Sequence, residues 1–186
     1  MSRKVARKRK PDGLEPEDLT SALQQNWFLK FKIKKPFHFN EIHKAFYDCI
    51  RNDDTNMVFV DGPAGTGKSY IAVLAALEAF QEQKTKQIVY IRSVIESASR
   101  SIGALPGEVD DKFLPYAMPL LEKIQEITDD STCTALHRAG ALHAIPVNFV
   151  RGLTFNDSIV IVDEIQNLTL AEVTTILTRF GKNTKY

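Results

Sequence analysis

A glycine-rich loop constrains the fold of this 186-residue chain more than any other feature. It lies between an apolar run at residues 57–60 and a helical pattern at residues 70–81, and it reads Gly62-Pro63-Ala64-Gly65-Thr66-Gly67-Lys68-Ser69. Glycines let backbone N–H groups curve around an anion, because no Cβ atom stands in the way. A helix directly behind the loop adds the positive end of its dipole. The pattern G-x-x-x-x-G-K-[ST] between a strand and a helix therefore predicts a phosphate-binding loop in a parallel α/β fold.

Two side chains at the end of this loop match the needs of a nucleoside triphosphate. Lys68 is predicted to neutralise β- and γ-phosphate oxygens, and the Ser69 hydroxyl is predicted to bind Mg²⁺. The sequence thus implies ATP and Mg²⁺ as ligands. No Asn-Lys-x-Asp tetrad, which would read guanine, occurs in the 186 residues. Because such a tetrad would fall near the last of these residues, the choice of ATP over GTP stays open at this point.

An acidic pair follows the strongest strand pattern in the chain. Residues 158–162 are typical of a central parallel strand with both faces buried, and Asp163 and Glu164 come directly after them. Ligands bind at the carboxyl ends of the strands in open α/β sheets. Asp163 is therefore expected to help bind Mg²⁺ beside Ser69, and Glu164 is expected to deprotonate or orient an attacking water. This pair favours hydrolysis over phosphate transfer to a small molecule.

The rest of the chain alternates helical and strand patterns. We expect helices near residues 16–27, 40–52, 110–128 and 169–180, and strands at 31–33, 57–60 and 87–91. An extended segment interrupted by Pro146 is expected at residues 142–150. Thr169 and Glu172 form a predicted capping box, and Gly181 is the expected C′ residue of the same helix.

Charge is unevenly distributed along the chain. The first ten residues hold six of the 24 basic side chains and no acid, so the other 176 residues have a net charge of −5. We interpret residues 1–15 as a disordered basic arm that is either a nucleic-acid contact or a solvated tail, residues 16–35 as an N-terminal appendage, and residues 36–186 as the core domain.

Composition excludes several classes of protein. With 44% hydrophobic and 25% charged residues, the chain is predicted to be globular rather than disordered. It has no apolar run long enough to span a membrane and no secretory signal, so no membrane association is expected. Cys49 and Cys133 have neither metal-ligand spacing nor a disulfide framework, which favours a cytoplasmic location.

Six sequence blocks, in this order, resemble the PhoH-like family of phosphate-starvation-inducible-type P-loop ATPases. They are the loop at 62–69, Leu105-Pro106-Gly107, Pro115-Tyr116, Arg151-Gly152-Leu153-Thr154, Asp163-Glu164-Ile165-Gln166-Asn167 and Leu177-Thr178-Arg179-Phe180-Gly181. The resemblance covers about residues 36–185 and implies a P-loop NTPase fold, with a RecA-like, helicase-core-like parallel sheet and flanking helices. The family is widespread in bacteria and common in phages, which implies the host cytoplasm for a phage-encoded member.

The resemblance also implies roles for further residues. Gln166 matches the last polar residue of a helicase-like D-E-x-Q element and is expected to sense the γ-phosphate. Arg92, Arg151 and Arg179 match arginines of the family, and their roles stay open between a γ-phosphate contact, a finger that reaches a neighbouring subunit, a nucleic-acid contact and a surface cap. Where the family has a glutamine that reads adenine, this chain has His43, which leaves base selectivity open.

By this resemblance, the chain is expected to be a Mg²⁺-dependent ATPase that acts on RNA or single-stranded DNA as a homo-oligomeric ring such as a hexamer. The alternative is a nucleotide-dependent switch or assembly factor with little turnover; Glu164 and the absence of an arginine-rich lid disfavour a phosphotransferase. The family continues beyond the Leu-Thr-Arg block into further strands. The core is therefore expected to be incomplete at its C-terminal end, with no room for the strand that should insert beside residues 158–162.

Overall fold

The computed structural model of the protein describes residues 30–34, 39–93 and 109–186. In these ranges five α-helices are present: α1 (Glu41–Arg51), α2 (Lys68–Gln81), α3 (Val109–Ile127), α4 (Asp130–Arg138) and α5 (Leu170–Leu177). The described strands are β1 (Gln87–Arg92), β2 (Leu142–Pro146) and β3 (Ser158–Asp163). Single 3₁₀ turns follow β2 at Val147–Phe149 and β3 at Ile165–Asn167. The predicted arm at 1–15, the predicted helix at 16–27 and the Leu105-Pro106-Gly107 block lie outside the described residues.

The strands form a parallel sheet in the order β2-β1-β3. In its register, Ile88 of the central strand β1 lies beside Leu142 of β2 and Ile159 of β3. A parallel sheet with both faces covered requires apolar residues along the whole strand, and the buried residues of β1 and β3 meet this requirement. The parallel α/β architecture expected from the sequence is confirmed.

Alternate residues of the strands face two apolar layers. On one face, Tyr90 and Ile161 pack with residues of α2, α3 and α4. On the other face, Val89 and Val160 pack with Phe155 and with Ile176 of α5. Eight of the 14 residues of α2 are buried, so this helix is apolar around most of its circumference, as expected for a helix inside the core. This packing holds the start of α2 beside the carboxyl end of β3.

The sequence predicted one end of helix α5 correctly and the other end wrongly. The capping box of α5 is confirmed, since the Thr169 N–H donates to Glu172 Oε2 at 2.8 Å and the Glu172 N–H donates to Thr169 Oγ1 at 3.3 Å. The helix ends at Leu177, however, so the expectation that Gly181 is its C′ residue is wrong. Glycine is needed there for another reason: residues 155 and 180 pair, and a Cβ atom on Gly181 would lie 1.9 Å from the Phe155 carbonyl oxygen.

Helix α4 was not expected. Asp129 caps it by accepting a hydrogen bond from the Thr132 N–H at 2.9 Å. The strand expected at 31–33 is also wrong, because this segment has no ladder partner among the described residues. Phe31 and Ile33 instead pack on the edge of the core as an irregular extended segment. None of the helices in the described ranges is both long and apolar enough to cross a membrane.

The segment before the glycine-rich loop differs from the buried strand that we expected. Phe59 is 67% exposed and Val60 is 42% exposed, and residues 57–60 are not part of the described sheet. A third segment, Lys185 and Tyr186, lies between β3 and residues 56–58. Backbone hydrogen bonds join Lys185 to Ser158 and Val160 on one side, and Tyr186 to Asn56 and Val58 on the other.

This segment lies where a second expectation placed a strand. A strand was expected to insert between β3 and the residues that lead into the loop, and the chain was expected to have no room for it. Lys185 and Tyr186 lie where the first residues of that strand are expected. Lys185 forms a parallel bridge with Ile159 of β3. Phe59 and Val60 lie beyond the residues that Tyr186 pairs with, which accounts for their exposure.

Candidate functional site

The loop at residues 62–69 has the open curve that binding a phosphate requires. Gly65 and Gly67 have φ angles of +78° and +81°, in the left-handed region that favours glycine. A Cβ atom on either residue would meet nothing within 4 Å, so both glycines are required for backbone conformation rather than for space. The loop forms part of the wall of a cavity of about 910 Å³. That volume is in the range of small-molecule sites in proteins.

Lys68, the first residue of α2, turns back over this loop. Its Nζ donates hydrogen bonds to the carbonyl oxygens of Gly62 at 2.6 Å and of Pro63 at 2.7 Å. The ammonium group therefore lies inside the curve of the loop, on the wall of the cavity. The role in phosphate binding that the sequence predicts for Lys68 stays a prediction.

Ser69 and Asp163 meet although 94 residues separate them. The Ser69 hydroxyl donates to Asp163 Oδ1 at 3.0 Å, which joins the start of α2 to the end of β3. The Glu164 N–H donates to the same oxygen at 3.2 Å. The structure therefore brings the two predicted metal-binding residues together on the cavity wall.

The oxygens of Ser69 and Asp163 fit Mg²⁺. This ion prefers hard oxygen ligands, and proteins usually bind it through one or two carboxylates together with substrate phosphates and water. In the described ranges no group of three or more His, Cys, Asp and Glu side chains could hold a metal ion. A metal here would therefore be bound by a few protein oxygens and by phosphate oxygens. This coordination is typical of Mg²⁺, which seldom has a full set of protein ligands.

Tyr90, which the sequence did not indicate as a site residue, lies next to this pair. Its side chain is 2% exposed, and its hydroxyl donates to Asp163 Oδ2 at 2.5 Å. Burial, reinforced by the hydrogen bond to Asp163, raises the pKa of the Tyr90 phenol far above its ordinary value, so the phenol remains a donor. The sequence signal was a hydroxyl among the apolar residues 88–91 of the strand, two positions before the strand ends.

Glu164 and Gln166 lie on the same wall of the cavity. Glu164 adopts a left-handed conformation with φ of +56°, which turns the chain sharply out of β3. The Gln166 side-chain amide donates to Glu164 Oε2 at 2.5 Å. The two residues that were expected to act on water and on the γ-phosphate are thus hydrogen-bonded to each other.

His43 of α1 contacts the glycine-rich loop directly. Its Nδ1 accepts a hydrogen bond from the Asn40 N–H at 3.4 Å, so its Nε2 is the protonated nitrogen. This Nε2–H donates to the Thr66 carbonyl oxygen at 3.0 Å. Both ring nitrogens are therefore occupied by protein atoms. Phe39, which makes an edge contact with His43, lines the cavity beside it.

The three arginines are not part of the cavity wall. Arg92 lies directly opposite Asp163 in the register of β1 and β3. Arg151 is exposed after the 3₁₀ turn. The Arg179 guanidinium donates to the Thr175 carbonyl oxygen at 3.2 Å, at the end of α5. Among the described residues, Lys68, the acidic pair and Gln166 therefore come together without an arginine, and the three arginine roles stay predictions.

Comparisons with known proteins agree with this site. The family model described as "PhoH-like protein" matches residues 39–186. A PhoH-like protein of Bacillus subtilis is 38% identical over 135 residues, which cover 73% of this chain and 41% of that protein. A PhoH-like protein of Mycobacterium tuberculosis is 36% identical over 142 residues, covering 76% and 40%. Protein PhoH2 of Mycolicibacterium smegmatis is 31% identical over 139 residues, covering 74% and 32%.

The match includes the loop, the acidic pair and nearly all of the described residues. The chain spans about two fifths of the length of the PhoH-like relatives from Bacillus subtilis and Mycobacterium tuberculosis. Together with the parallel sheet and the geometry of the cavity, the match confirms the predicted P-loop NTPase fold class. The chain therefore belongs to the PhoH-like family of nucleotide-binding P-loop proteins.

Proposed function

We propose that this protein is a Mg²⁺-dependent ATPase that couples hydrolysis to action on RNA or single-stranded DNA. The observation that supports it best is the 3.0 Å contact between Ser69 and Asp163 on the wall of the 910 Å³ cavity. This contact unites the phosphate-binding loop with the acidic pair, which is the arrangement that hydrolysis of a nucleoside triphosphate requires.

The loop and four side chains of the cavity wall have distinct roles in this proposal. The backbone N–H groups of the loop and the dipole of α2 bind the phosphates, and Lys68 moves from the loop carbonyls to the β- and γ-phosphate oxygens. Ser69 and Asp163 would hold Mg²⁺, which neutralises phosphate charge when it is bound. Glu164 accepts a proton from the attacking water or orients that water.

Gln166 orients Glu164 in this proposal. Its amide donates to one carboxylate oxygen of Glu164 and holds the side chain in place until Gln166 finds another partner. A γ-phosphate oxygen in the cavity offers that partner, because Gln166 lies on the same wall. The same contact favours the alternative function, a nucleotide-dependent switch with little turnover, in which Glu164 stays bonded to Gln166.

Action on nucleic acid and assembly into a homo-oligomeric ring have weaker support. The resemblance of the D-E-x-Q element to helicase cores supports the first, together with six basic residues in the first ten. Arg179, at the end of α5, is the proposed residue for reaching a neighbouring subunit. A cytoplasmic location agrees with Cys49 and Cys133 not being joined in a disulfide.

ATP turnover with a panel of single-stranded RNA and DNA tests this proposal. Turnover that rises with one class of strand supports an ATPase acting on nucleic acid, and ATP binding with no turnover under any condition favours the switch. Deleting residues 1–10 is expected to flatten the salt dependence of strand binding, since each lost phosphate contact removes about 0.7–0.9 from the slope of log K against log salt. An unchanged slope would show that the arm does not contact phosphates.

A further inference from the structure

Tyr90 has no part in the function proposed above, yet it contacts the carboxylate on which that function depends. It lies inside β1, opposite Ile161 of β3, and its ring packs in the apolar layer formed with α2, α3 and α4. A hydroxyl buried in such a layer is costly unless it has a hydrogen-bond partner. The hydroxyl of Tyr90 donates to Asp163 Oδ2 at 2.5 Å.

The length of a tyrosine side chain makes this contact possible. Arg92, not Tyr90, lies directly opposite Asp163 in the sheet register. Tyr90 is two residues earlier on the same face of β1, about 6.6 Å along a strand that rises ~3.3 Å per residue. A tyrosine spans about that distance, so its ring fills the core while its hydroxyl reaches the end of the sheet. A leucine or isoleucine at position 90 would fill the same layer but would reach no polar atom of Asp163.

Three donors from different parts of the chain hold the Asp163 carboxylate. The Tyr90 hydroxyl occupies Oδ2, and the Ser69 hydroxyl and the Glu164 N–H occupy Oδ1. A carboxylate with both oxygens bonded from opposite sides has little freedom to rotate about its terminal torsion. The hydrogen bond from Tyr90 to one oxygen therefore helps to fix the orientation in which the other oxygen faces Ser69.

We propose that Tyr90 is a positioning residue, whose hydroxyl holds Asp163 Oδ2 on the core side so that Oδ1 faces Ser69 at the metal site. This inference rests on the proposed function, because it assigns the residue a role in Mg²⁺–nucleotide binding. Hydrogen-bond partners of metal ligands typically contribute about 10–100-fold to metal affinity. Tyr90 is a hydrogen-bond partner of this kind for Asp163. It acts through Asp163 rather than by touching the nucleotide.

The test is a titration of Mg²⁺ against binding of a fluorescent ATP analogue, with the Tyr90→Phe variant. Phenylalanine keeps the ring in the core and removes only the hydroxyl. We expect the Mg²⁺ concentration for half-maximal enhancement of binding to rise about tenfold or more. Affinity in excess EDTA is expected to stay at the wild-type value, because the hydrogen bonds of Lys68 and the loop do not involve Tyr90.

Tyr47→Phe provides a matched control. The Tyr47 hydroxyl also donates to a carboxylate, that of Glu78 on α2, but neither residue lines the cavity. Both variants lose one phenol hydroxyl bonded to a carboxylate, so both are expected to melt at a lower temperature than the wild type. Only Tyr90→Phe is expected to change the Mg²⁺ dependence. An unchanged Mg²⁺ dependence in Tyr90→Phe, or an equal loss of binding with and without Mg²⁺, would overturn the proposal.

A second measurement avoids any dependence on how the variant folds. 3-Fluorotyrosine in place of Tyr90 keeps both the ring and the hydroxyl, and its ¹⁹F resonance reports the hydrogen bond to Asp163. Adding Mg²⁺ to the nucleotide-bound protein is expected to shift this resonance and to leave the resonance of the same label at position 47 unchanged. Nucleotide binding without a shift at position 90 contradicts the role of Tyr90 alone. A wild-type protein that binds no nucleotide contradicts the proposed function, and this inference with it.

Discussion

Lys68 is the residue whose loss should most directly weaken nucleotide binding. Its Nζ donates to the loop carbonyls of Gly62 and Pro63 and not to core residues, so Lys68→Ala removes a charge-assisted contact without disturbing the core. Such contacts contribute about 1.5–3 kcal/mol, which corresponds to a loss of roughly tenfold to a few hundredfold in ATP affinity. Isothermal titration calorimetry measures this loss.

Lys86→Ala is the control for that change. It removes the same charge from a lysine that is paired with Asp157 at 2.9 Å and does not line the cavity. ATP affinity is expected to be unchanged in this variant. Wild-type affinity in Lys68→Ala would contradict the assignment of the loop.

Glu164 should behave in the opposite way, because it acts on water and not on the bound phosphates. Glu164→Gln keeps the size of the side chain and removes the base, so we expect ATP binding to be preserved and hydrolysis to be lost. Single-turnover hydrolysis and nucleotide titration measure the two effects separately. Glu122→Gln, an exposed change on α3, should leave both at wild-type values. Hydrolysis at the wild-type rate in Glu164→Gln would exclude Glu164 as the base.

Helix α1 is joined to the glycine-rich loop by the His43 ring. His43→Ala removes both the hydrogen bond to the Thr66 carbonyl and the one from the Asn40 N–H. A neutral hydrogen bond contributes about 0.5–1.5 kcal/mol, so we expect ATP affinity to fall about two- to tenfold if this contact holds the loop in its binding conformation. Nucleotide titration measures the change.

Asn40→Ala separates the loop contact from helix capping. It removes the cap that accepts from the His43 N–H at 2.8 Å, at a cost of about 1 kcal/mol in the free energy of unfolding, but leaves the His43 contact with Thr66 in place. We expect a lower denaturation midpoint with near wild-type ATP affinity. Equal affinities in Asn40→Ala and His43→Ala would show that the ring does not position the loop.

The last two residues stabilise the packing of distant parts of the chain. Lys185 and Tyr186 make four backbone hydrogen bonds that join β3 to residues 56–58, and the Tyr186 ring stacks on Phe180 at 5.2 Å. At about 1 kcal/mol for each hydrogen bond, deleting both residues should lower the free energy of unfolding by about 4 kcal/mol. This is a large part of the typical margin of about 5–15 kcal/mol. Urea denaturation measures the loss.

Replacing the two side chains, rather than deleting the residues, tests whether the backbone is responsible. Lys185→Ala with Tyr186→Ala keeps the four backbone hydrogen bonds and removes the ring stacking and the Nζ contacts with Ile50 and Asn52. We expect a smaller loss than in the deletion. A deletion with wild-type stability would mean that these backbone bonds contribute nothing.

Several features could be predicted from the sequence because they depend on residues close together in the chain. The glycines of the loop set its backbone angles, and Thr169 and Glu172 cap α5 across three positions. The apolar run of β3 requires a strand covered on both faces, which in turn places Asp163 and Glu164 at the edge where ligands bind. These local rules were sufficient to predict the parallel α/β architecture and to place the loop and the acidic pair at the same edge of the sheet.

Other features follow from packing between segments that are far apart in the chain. Tyr90 and Asp163 are separated by 73 residues, and no spacing in the sequence indicates that a phenol in β1 reaches the end of β3. The exposure of Phe59 and Val60 depends on where Tyr186 lies, although both residues have the apolar character of a buried strand. Local patterns specify backbone conformation and which face is apolar. The packing of the helices and strands decides which polar atoms meet and which apolar residues are covered. These contacts form between segments that are far apart in the sequence, so local patterns do not specify them.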